Sequence, residues 1–170
     1  MKRIEAEHPP LSKLHRVGTI VNDIDQTAEY YKTFGVCLFE DFHIKRKRSL
    51  VYNKQIDYPG VRIKQAVVSP IRIELLQPVN GDQYPWMQFL QTRGEGVHHM
   101  GFVMDDLERE EARLNSIGVE EIYKCEYLDG GGAIYFATDE IGGAVVEVFQ
   151  WPNNYTILRM KKRYPAEIVL

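Results

Sequence analysis

A chain of 170 residues, 44% of them hydrophobic, is long enough to bury a core, and we expect it to form one compact domain. Its formal net charge of −3 gives no electrostatic footprint for nucleic acid, and no apolar run approaches the length that spans a membrane. The N-terminus lacks the apolar core of a signal peptide, and the only cysteines are Cys37 and Cys125. These features predict a cytoplasmic protein in a reducing compartment, with one bridge between the two cysteines as the alternative.

The first half of the chain alternates strand and helix patterns. A polar arm, residues 1–13, precedes an apolar strand at residues 14–21. Asp23 or Asp25 can cap the helix that follows, and Gly35 ends it. The other predicted strands of this half are residues 36–42, 61–68 and 71–77, of which the last two form a hairpin across Ser69 and Pro70.

One dense run of charge interrupts this half, at Lys45, Arg46, Lys47 and Arg48. Such a run is usually a solvated surface, so it is interpreted as the tip of a hairpin. The alternative is a site for an anionic tail such as a phosphate.

The second half repeats the same order of elements after a short bridging helix at residues 84–93. A strand at residues 97–104 leads to a helix at 106–116, which Gly118 stops. The glycine-rich turn at residues 129–132 could cradle a phosphate, but no helix follows it, so this reading is weak. The remaining segments are strands at residues 121–127, 133–138 and 143–150, then a tail at 153–170 that could be an edge strand or a packing arm.

The two halves are copies of one unit. Residues 16–24 match residues 99–107, and the closing strand at 71–78 matches the one at 145–152. A period near 83 is too long for a solenoid, so the chain is interpreted as two half-domains. In this alignment Arg16 occupies the place of His99, and Glu74 occupies the place of Glu147.

Two adjacent histidines, His98 and His99, open the first strand of the second copy. Side chains alternate along a strand, so the two histidines are predicted to lie on opposite faces, with one of them facing the interior. Ordinary packing histidines are the plain alternative.

A doubled β-α-β-β-β unit with a histidine at the start of the second copy and a glutamate on each closing strand resembles the vicinal-oxygen-chelate superfamily, most closely its methylmalonyl-CoA epimerase and glyoxalase I groups. Residues 94–102 (GEGVHHMGF) and 142–148 (GGAVVEV) carry the resemblance, which covers residues 14–152. It implies an α+β domain in which two βαβββ modules, residues 14–80 and 97–152, form a curled eight-stranded mixed sheet around a central cavity.

The resemblance also implies one divalent metal ion, such as Co, Ni, Zn or Mn, with Glu74, His99 and Glu147 as ligands. The first-strand histidine of the family falls on Arg16, so a fourth ligand is missing. Arg16 is predicted to pair with Glu74 or Glu147, or to bind a carboxylate of the substrate, unless it reaches solvent at the start of its strand.

The function that the resemblance implies is that of an isomerase or lyase that removes a proton next to a carbonyl or thioester, with Glu147 or Glu74 carrying the proton. Epimerisation of a 2-substituted acyl-CoA is the preferred instance, ahead of isomerisation of a glutathione adduct. A metal-free protein that binds a small molecule is the alternative. A ring-cleaving dioxygenase ranks last, because it needs two histidines and a carboxylate around iron. A small-molecule substrate and a homodimer are expected, with no nucleic acid, membrane or nucleotide cofactor involved.

Overall fold

The computed structural model describes residues 11, 13–36, 38–57, 60–82 and 84–152. Most of the predicted N-terminal arm and the whole tail at residues 153–170 lie outside the described residues, as does Cys37. Cys125 is a buried free thiol.

Ten strands and four helices follow one another along the described chain. The strands are β1 (Leu14–Ile20), β2 (Glu40–Asp41), β3 (Arg46–Val51), β4 (Lys54–Ile56), β5 (Val61–Val68), β6 (Ile71–Pro78), β7 (Gly96–Val103), β8 (Glu121–Tyr127), β9 (Gly132–Phe136) and β10 (Val145–Gln150). The helices are α1 (Ile24–Thr33), α2 (Pro85–Arg93), α3 (Leu107–Ser116) and α4 (Asp139–Gly142). No helix among the described residues is both long and apolar enough to cross a membrane.

The strands form a single curled mixed sheet in the order β2-β5-β6-β1-β7-β10-β9-β8-β3-β4. The prediction of eight strands was wrong, because the segment between α1 and β5 supplies three strands instead of one. A short β2 lies at one edge of the sheet, and the β3–β4 hairpin extends the other edge by pairing β3 with β8. The first half of the chain therefore contributes strands to both ends of the sheet.

The internal repeat is visible in how the central strands pair. Strand β1 pairs in parallel with β6, and β7 pairs in parallel with β10. The two repeat-related strands β1 and β7 then pair antiparallel at the middle of the sheet, with Arg16 opposite Gly101 and Gly18 opposite His99. The four strands that carry the repeat-related candidate residues are thus neighbours.

The helix boundaries follow from local chemistry. The side chain of Asp23 accepts hydrogen bonds from the backbone N–H groups of Asp25 and Gln26, which makes it the cap of α1. Asp106 caps α3 in the same way. Both Gly35 and Gly118 have positive φ after these helices, as the predicted helix ends require.

The basic run is not a hairpin tip. Arg46 and Arg48 lie in β3, and the turn of the β3–β4 hairpin is formed by Tyr52 and Asn53. Arg48 donates a hydrogen bond to Glu126 on β8. The pairing of β3 with β8 explains the difference, because the carboxylate of Glu126 on β8 lies beside the basic side chains of β3 and offsets their charge.

Candidate active site

Four charged or titratable side chains meet in the sheet, one from each of the neighbouring strands β6, β1, β7 and β10. Arg16 is 2% exposed, Glu74 is 1% exposed, and His99 and Glu147 are fully buried. They are the residues that the internal repeat places in correspondence, so the sequence predicted which positions come together. The repeat did not predict how they contact one another.

Arg16 forms a bidentate ion pair with Glu147. Its Nε donates to Glu147 Oε2 over 2.7 Å, and its Nη2 donates to Glu147 Oε1. Its Nη1 lies 3.6 Å from Glu74 Oε1, and its Cζ lies 4.0 Å from the centre of the Phe149 ring. Burial alone would lower the pKa of Arg16, but the two carboxylates raise it well above its usual value. Arg16 is therefore a permanent interior cation and does not reach solvent.

Glu74 keeps one carboxylate oxygen without a hydrogen bond. Gln65 Nε2 donates to its Oε1 over 2.6 Å, while its Oε2 has no hydrogen-bond partner among the described residues. Burial raises the pKa of Glu74, but the charge of Arg16 and the contacts with His99 and Gln65 outweigh burial and lower that pKa from 4.5 to about 2. Glu74 is therefore ionised at neutral pH.

His99 directs one ring nitrogen at the two carboxylates and the other at His98. Its Nε2 lies 3.3 Å from Glu74 Oε2 and 3.5 Å from Glu147 Oε2, and its Nδ1 lies 3.1 Å from His98 Nδ1. Burial holds the pKa of His98 well below its usual value, so His98 is neutral. A proton on His99 Nε2 would face both carboxylates, and His98 Nδ1–H could then donate to His99 Nδ1.

The prediction that the two histidines lie on opposite faces was wrong. The register between β1 and β7 shifts at this point, because Gly18 pairs with His99 while Thr19 pairs with Val97. His98 is the extra residue of a β-bulge, and a bulge breaks the alternation of side chains. Both histidines are buried as a result.

Two glycines make room for the cluster. A Cβ on Gly101 would lie 2.5 Å from Glu147 Oε2 and 2.6 Å from Arg16 Cγ, and a Cβ on Gly18 would overlap the His99 ring. Strand β1 thus supplies Arg16 and a glycine that makes room for His99, and strand β7 supplies His99 and a glycine that makes room for Arg16. This arrangement could have been predicted from the internal repeat, because a glycine lies two residues after Arg16 and another lies two residues after His99.

Sequence reasoning missed Gln65 and Tyr135 as members of the site. Gln65 is 2% exposed and pairs with Glu74 across the β5–β6 hairpin, so the hairpin register could have identified it. The Tyr135 ring lies 5.0 Å from the His99 ring, and burial raises the pKa of Tyr135 well above its usual value. Nothing in the sequence distinguished Tyr135 from the other tyrosines.

The arrangement of these side chains does not fit a divalent metal ion. One imidazole and two carboxylates form a chemically suitable ligand set. However, both oxygens of Glu147 are engaged by Arg16, which leaves only Glu74 Oε2 and His99 Nε2 uncommitted. No group of three or more His, Cys, Asp or Glu side chains within the described chain could hold a metal. The metal implied by the resemblance stays a prediction.

Comparison with known proteins identifies chains that are similar to this one. Residues 15–138 match the family model of the glyoxalase/bleomycin resistance protein/dioxygenase superfamily. The uncharacterized protein YqjC of Bacillus subtilis is 20% identical over 140 residues, which cover 81% of this chain and 91% of that protein.

Two solved structures share the fold. Methylmalonyl-CoA epimerase from Mycobacterium tuberculosis matches with a TM-score of 0.62 and 23% identity, over 81% of this chain and 87% of that chain. Streptomyces coelicolor methylmalonyl-CoA epimerase in complex with 2-nitronate-propionyl-CoA matches with a TM-score of 0.60 and 24% identity, over 81% of this chain and 96% of that chain. At these identities the likeness shows the fold.

Proposed function

The chain belongs to the glyoxalase/bleomycin resistance protein/dioxygenase superfamily, and on that premise we propose that it is an epimerase-like isomerase or lyase that moves a proton at a carbon next to a carbonyl or thioester. One observation carries the proposal. Glu74 Oε2, which has no hydrogen-bond partner among the described residues and lies 3.3 Å from His99 Nε2, is in the same buried cluster as a guanidinium nitrogen without a hydrogen bond, Arg16 Nη1. A base and an electrophile are the two groups that enolisation needs.

The two groups would divide the reaction between them. Arg16 Nη1 donates to the carbonyl oxygen and stabilises the negative charge that develops there. The C–H bond breaks, its electrons form the enolate with the charge on that oxygen, and Glu74 Oε2 accepts the proton. A proton then returns to the same carbon, and its return to the opposite face of the planar enolate inverts that centre. Glu147 is the weaker of the two predicted proton carriers, because Arg16 engages both of its oxygens.

The low pKa of Glu74 is compatible with this role during the reaction. Arg16 lowers that pKa in the ligand-free protein. As an oxyanion forms on the substrate, its charge offsets the charge of Arg16, so the affinity of Glu74 for a proton rises while the proton is being transferred.

The substrate class is proposed from the resemblance and the structural neighbours. The Streptomyces coelicolor neighbour is in complex with 2-nitronate-propionyl-CoA, which supports a small acyl-CoA as the first candidate here. A glutathione adduct is the second. Homodimer formation stays a prediction.

Deuterium incorporation tests the proposal directly. We expect the protein to exchange the proton next to the thioester of methylmalonyl-CoA in deuterated water, above the rate without protein. Glu74→Gln should lower that rate by about 10²–10⁴-fold, the usual contribution of a proton-transferring side chain. Glu126→Gln is the matched control, since Glu126 lies on β8 and pairs with Arg48. Absence of exchange with every acyl-CoA and glutathione adduct would overturn the proposal.

A metal-free binding protein of the same fold is the second candidate function. Two observations favour this candidate: Arg16 is already engaged by Glu147, and the pKa of Glu74 is low. Both show that the charged groups stabilise one another in the ligand-free protein, which makes Glu74 a weak base. Tight binding of a small molecule by the wild type, without exchange of any of its protons, would support this candidate over the enzyme.

A further inference from the structure

A half-buried arginine, Arg46 at the start of β3, lines a cavity of about 190 Å³ where the two ends of the curled sheet approach each other. One wall of the cavity is formed by Asp41 and the residues that follow β2, and another by Val61, Arg62 and Ile63 of β5. We propose that Arg46 binds an anionic group of the ligand, a carboxylate or a phosphate, in this cavity.

Arg46 lacks a counter-ion in the described part of the protein. No carboxylate there lies within ion-pair distance of it, and its buried Nε has no hydrogen-bond partner. The other arginine on the cavity wall differs, since Arg62 donates to Asp25 over 3.0 Å and to Gln77 over 3.2 Å. A partly buried charge is costly without a partner, so an unpaired guanidinium facing a cavity points to an anion from outside the chain.

The neighbours of Arg46 do not neutralise it. The side chains that interact with it electrostatically are those of Tyr123, Cys125 and Tyr127, and Cys125 also shares a hydrogen bond with it. Burial raises the pKa of all three groups, so all three are uncharged at neutral pH. The only acid on the cavity wall is Asp41, whose carboxylate lies 3.6 Å from Lys64 Nζ. A positive charge is therefore left for a ligand.

The cavity lies on the same face of the sheet as the central cluster. Val61, Ile63 and Gln65 alternate along β5 and share one face, and Gln65 donates to Glu74. A ligand held at Arg46 by its anionic group could therefore extend along this face towards Glu74. This placement deepens the proposed function and rests on it for the identity of the ligand, although the anion site itself does not.

Arg16 and Arg46 thus have different roles. Arg16 was predicted from the sequence to pair with Glu74 or Glu147 or to bind a substrate carboxylate, and the structure shows the pairing with Glu147, which occupies its planar edge. Arg46 was predicted to be part of a solvated hairpin tip, with a site for an anionic tail as the alternative, and it is a half-buried guanidinium with no carboxylate within ion-pair distance among the described residues. The structure assigns recognition of the anion to Arg46.

Four thioesters separate the two sources of the anion. Binding of methylmalonyl-CoA, propionyl-CoA and the two corresponding pantetheine thioesters would be measured by calorimetry on the wild type, Arg46→Gln and the control Arg48→Gln, whose guanidinium pairs with Glu126 on β8. If the anion is the carboxylate, Arg46→Gln weakens both methylmalonyl thioesters about 10- to 100-fold and spares both propionyl thioesters. If it is a phosphate, the same variant weakens both CoA thioesters and spares both pantetheine thioesters. Binding of all four ligands with wild-type affinity by Arg46→Gln would overturn the proposal.

Malonate and inorganic phosphate test the anion site without assuming an acyl-CoA. Either anion should raise the Tm of the wild type and not that of Arg46→Gln. If these anions bind and the thioesters do not, the substrate class is wrong and the site stands. If neither the anions nor the thioesters bind, the site is wrong.

Stability distinguishes a binding role from a structural one. Without ligand, Arg46→Gln should unfold at the same temperature as the wild type or a higher one, because the change removes an unpaired charge. A lower Tm than that of Arg48→Gln would show that Arg46 serves the fold, and it would contradict the proposal.

Discussion

Replacement of Arg16 by methionine tests whether the central cluster depends on its interior cation. Methionine keeps an unbranched apolar stem in the same space but leaves two buried carboxylates without a cation. Breaking a buried ion pair by removing one partner typically destabilises a protein by about 3–5 kcal/mol. The lowered pKa of Glu74, about 2 against the usual 4.5, independently corresponds to about 3 kcal/mol. We therefore expect a loss of several kcal/mol at pH 7.

The pH dependence of this loss of stability is a more specific test than its size. In the wild type, ionised Glu74 stabilises the folded state above pH 4.5, and this contribution is lost as the pH falls from 4.5 to about 2. Without Arg16, we expect burial to outweigh the contacts with His99 and Gln65 and to raise the pKa of Glu74 above its unfolded value, so that ionised Glu74 destabilises the variant at pH 7. The variant therefore recovers stability as the pH falls from 7 towards 4.5, while Glu74 gives the wild type no such gain.

Denaturant unfolding of both proteins between pH 7 and pH 4 measures this difference. The gap in the free energy of unfolding should be largest at pH 7 and should narrow as the pH falls. Arg48→Met is the control, because Arg48 forms an exposed pair with Glu126 and should change stability by no more than about 0.5 kcal/mol. A loss for Arg16→Met as small as that of the control, or a gap that is constant with pH, would refute the reasoning.

Two further substitutions probe the same cluster. Gly101→Ala should destabilise the protein by about 1–3 kcal/mol in denaturant unfolding, because its Cβ would meet Arg16 and Glu147. Gly96→Ala is the control, because open space surrounds its Cβ, and it should not destabilise the protein. Equal effects of the two changes would contradict this account. Arg16→His should bind Co²⁺ more tightly than the wild type, measured by the visible absorption of the bound ion, because it frees Glu147 and adds an imidazole. Arg16→Met is its control, and cobalt affinity no higher than that of the wild type would show that Arg16 does not compete with a metal.

The internal repeat explains why so much of the site was predictable from the sequence. Alignment of the two copies placed Arg16 with His99 and Glu74 with Glu147, and the structure brings all four together. This works because each copy folds with its first and last strands paired in parallel, so repeat-related residues lie near the same axis. Helix caps and glycine helix ends were predictable for a simpler reason, since they depend on residues next to one another in the chain.

The sequence failed where a contact depends on distant pairing. The basic run looked like a solvated tip, and only the pairing of β3 with β8 makes it a strand and turns Arg46 towards the cavity. The alternation expected for His98 and His99 failed because a bulge is a property of two strands together. Gln65 is a site residue only because its hairpin register places it opposite Glu74.

The position of Arg16 also shows why a missing ligand need not mean a lost function. A guanidinium next to Glu74 and Glu147 supplies a fixed positive charge where the resemblance implies a metal ion, and the chain contains the glycine that this longer side chain requires. A guanidinium stays charged at any physiological pH, and it can stabilise an oxyanion through N–H groups aimed at the charge. Since Glu147 holds its Nε and Nη2, only the Nη1 edge is positioned for a substrate oxygen. An anionic tail on the same substrate would then need another cation, and Arg46 lines a cavity and has no carboxylate within ion-pair distance among the described residues.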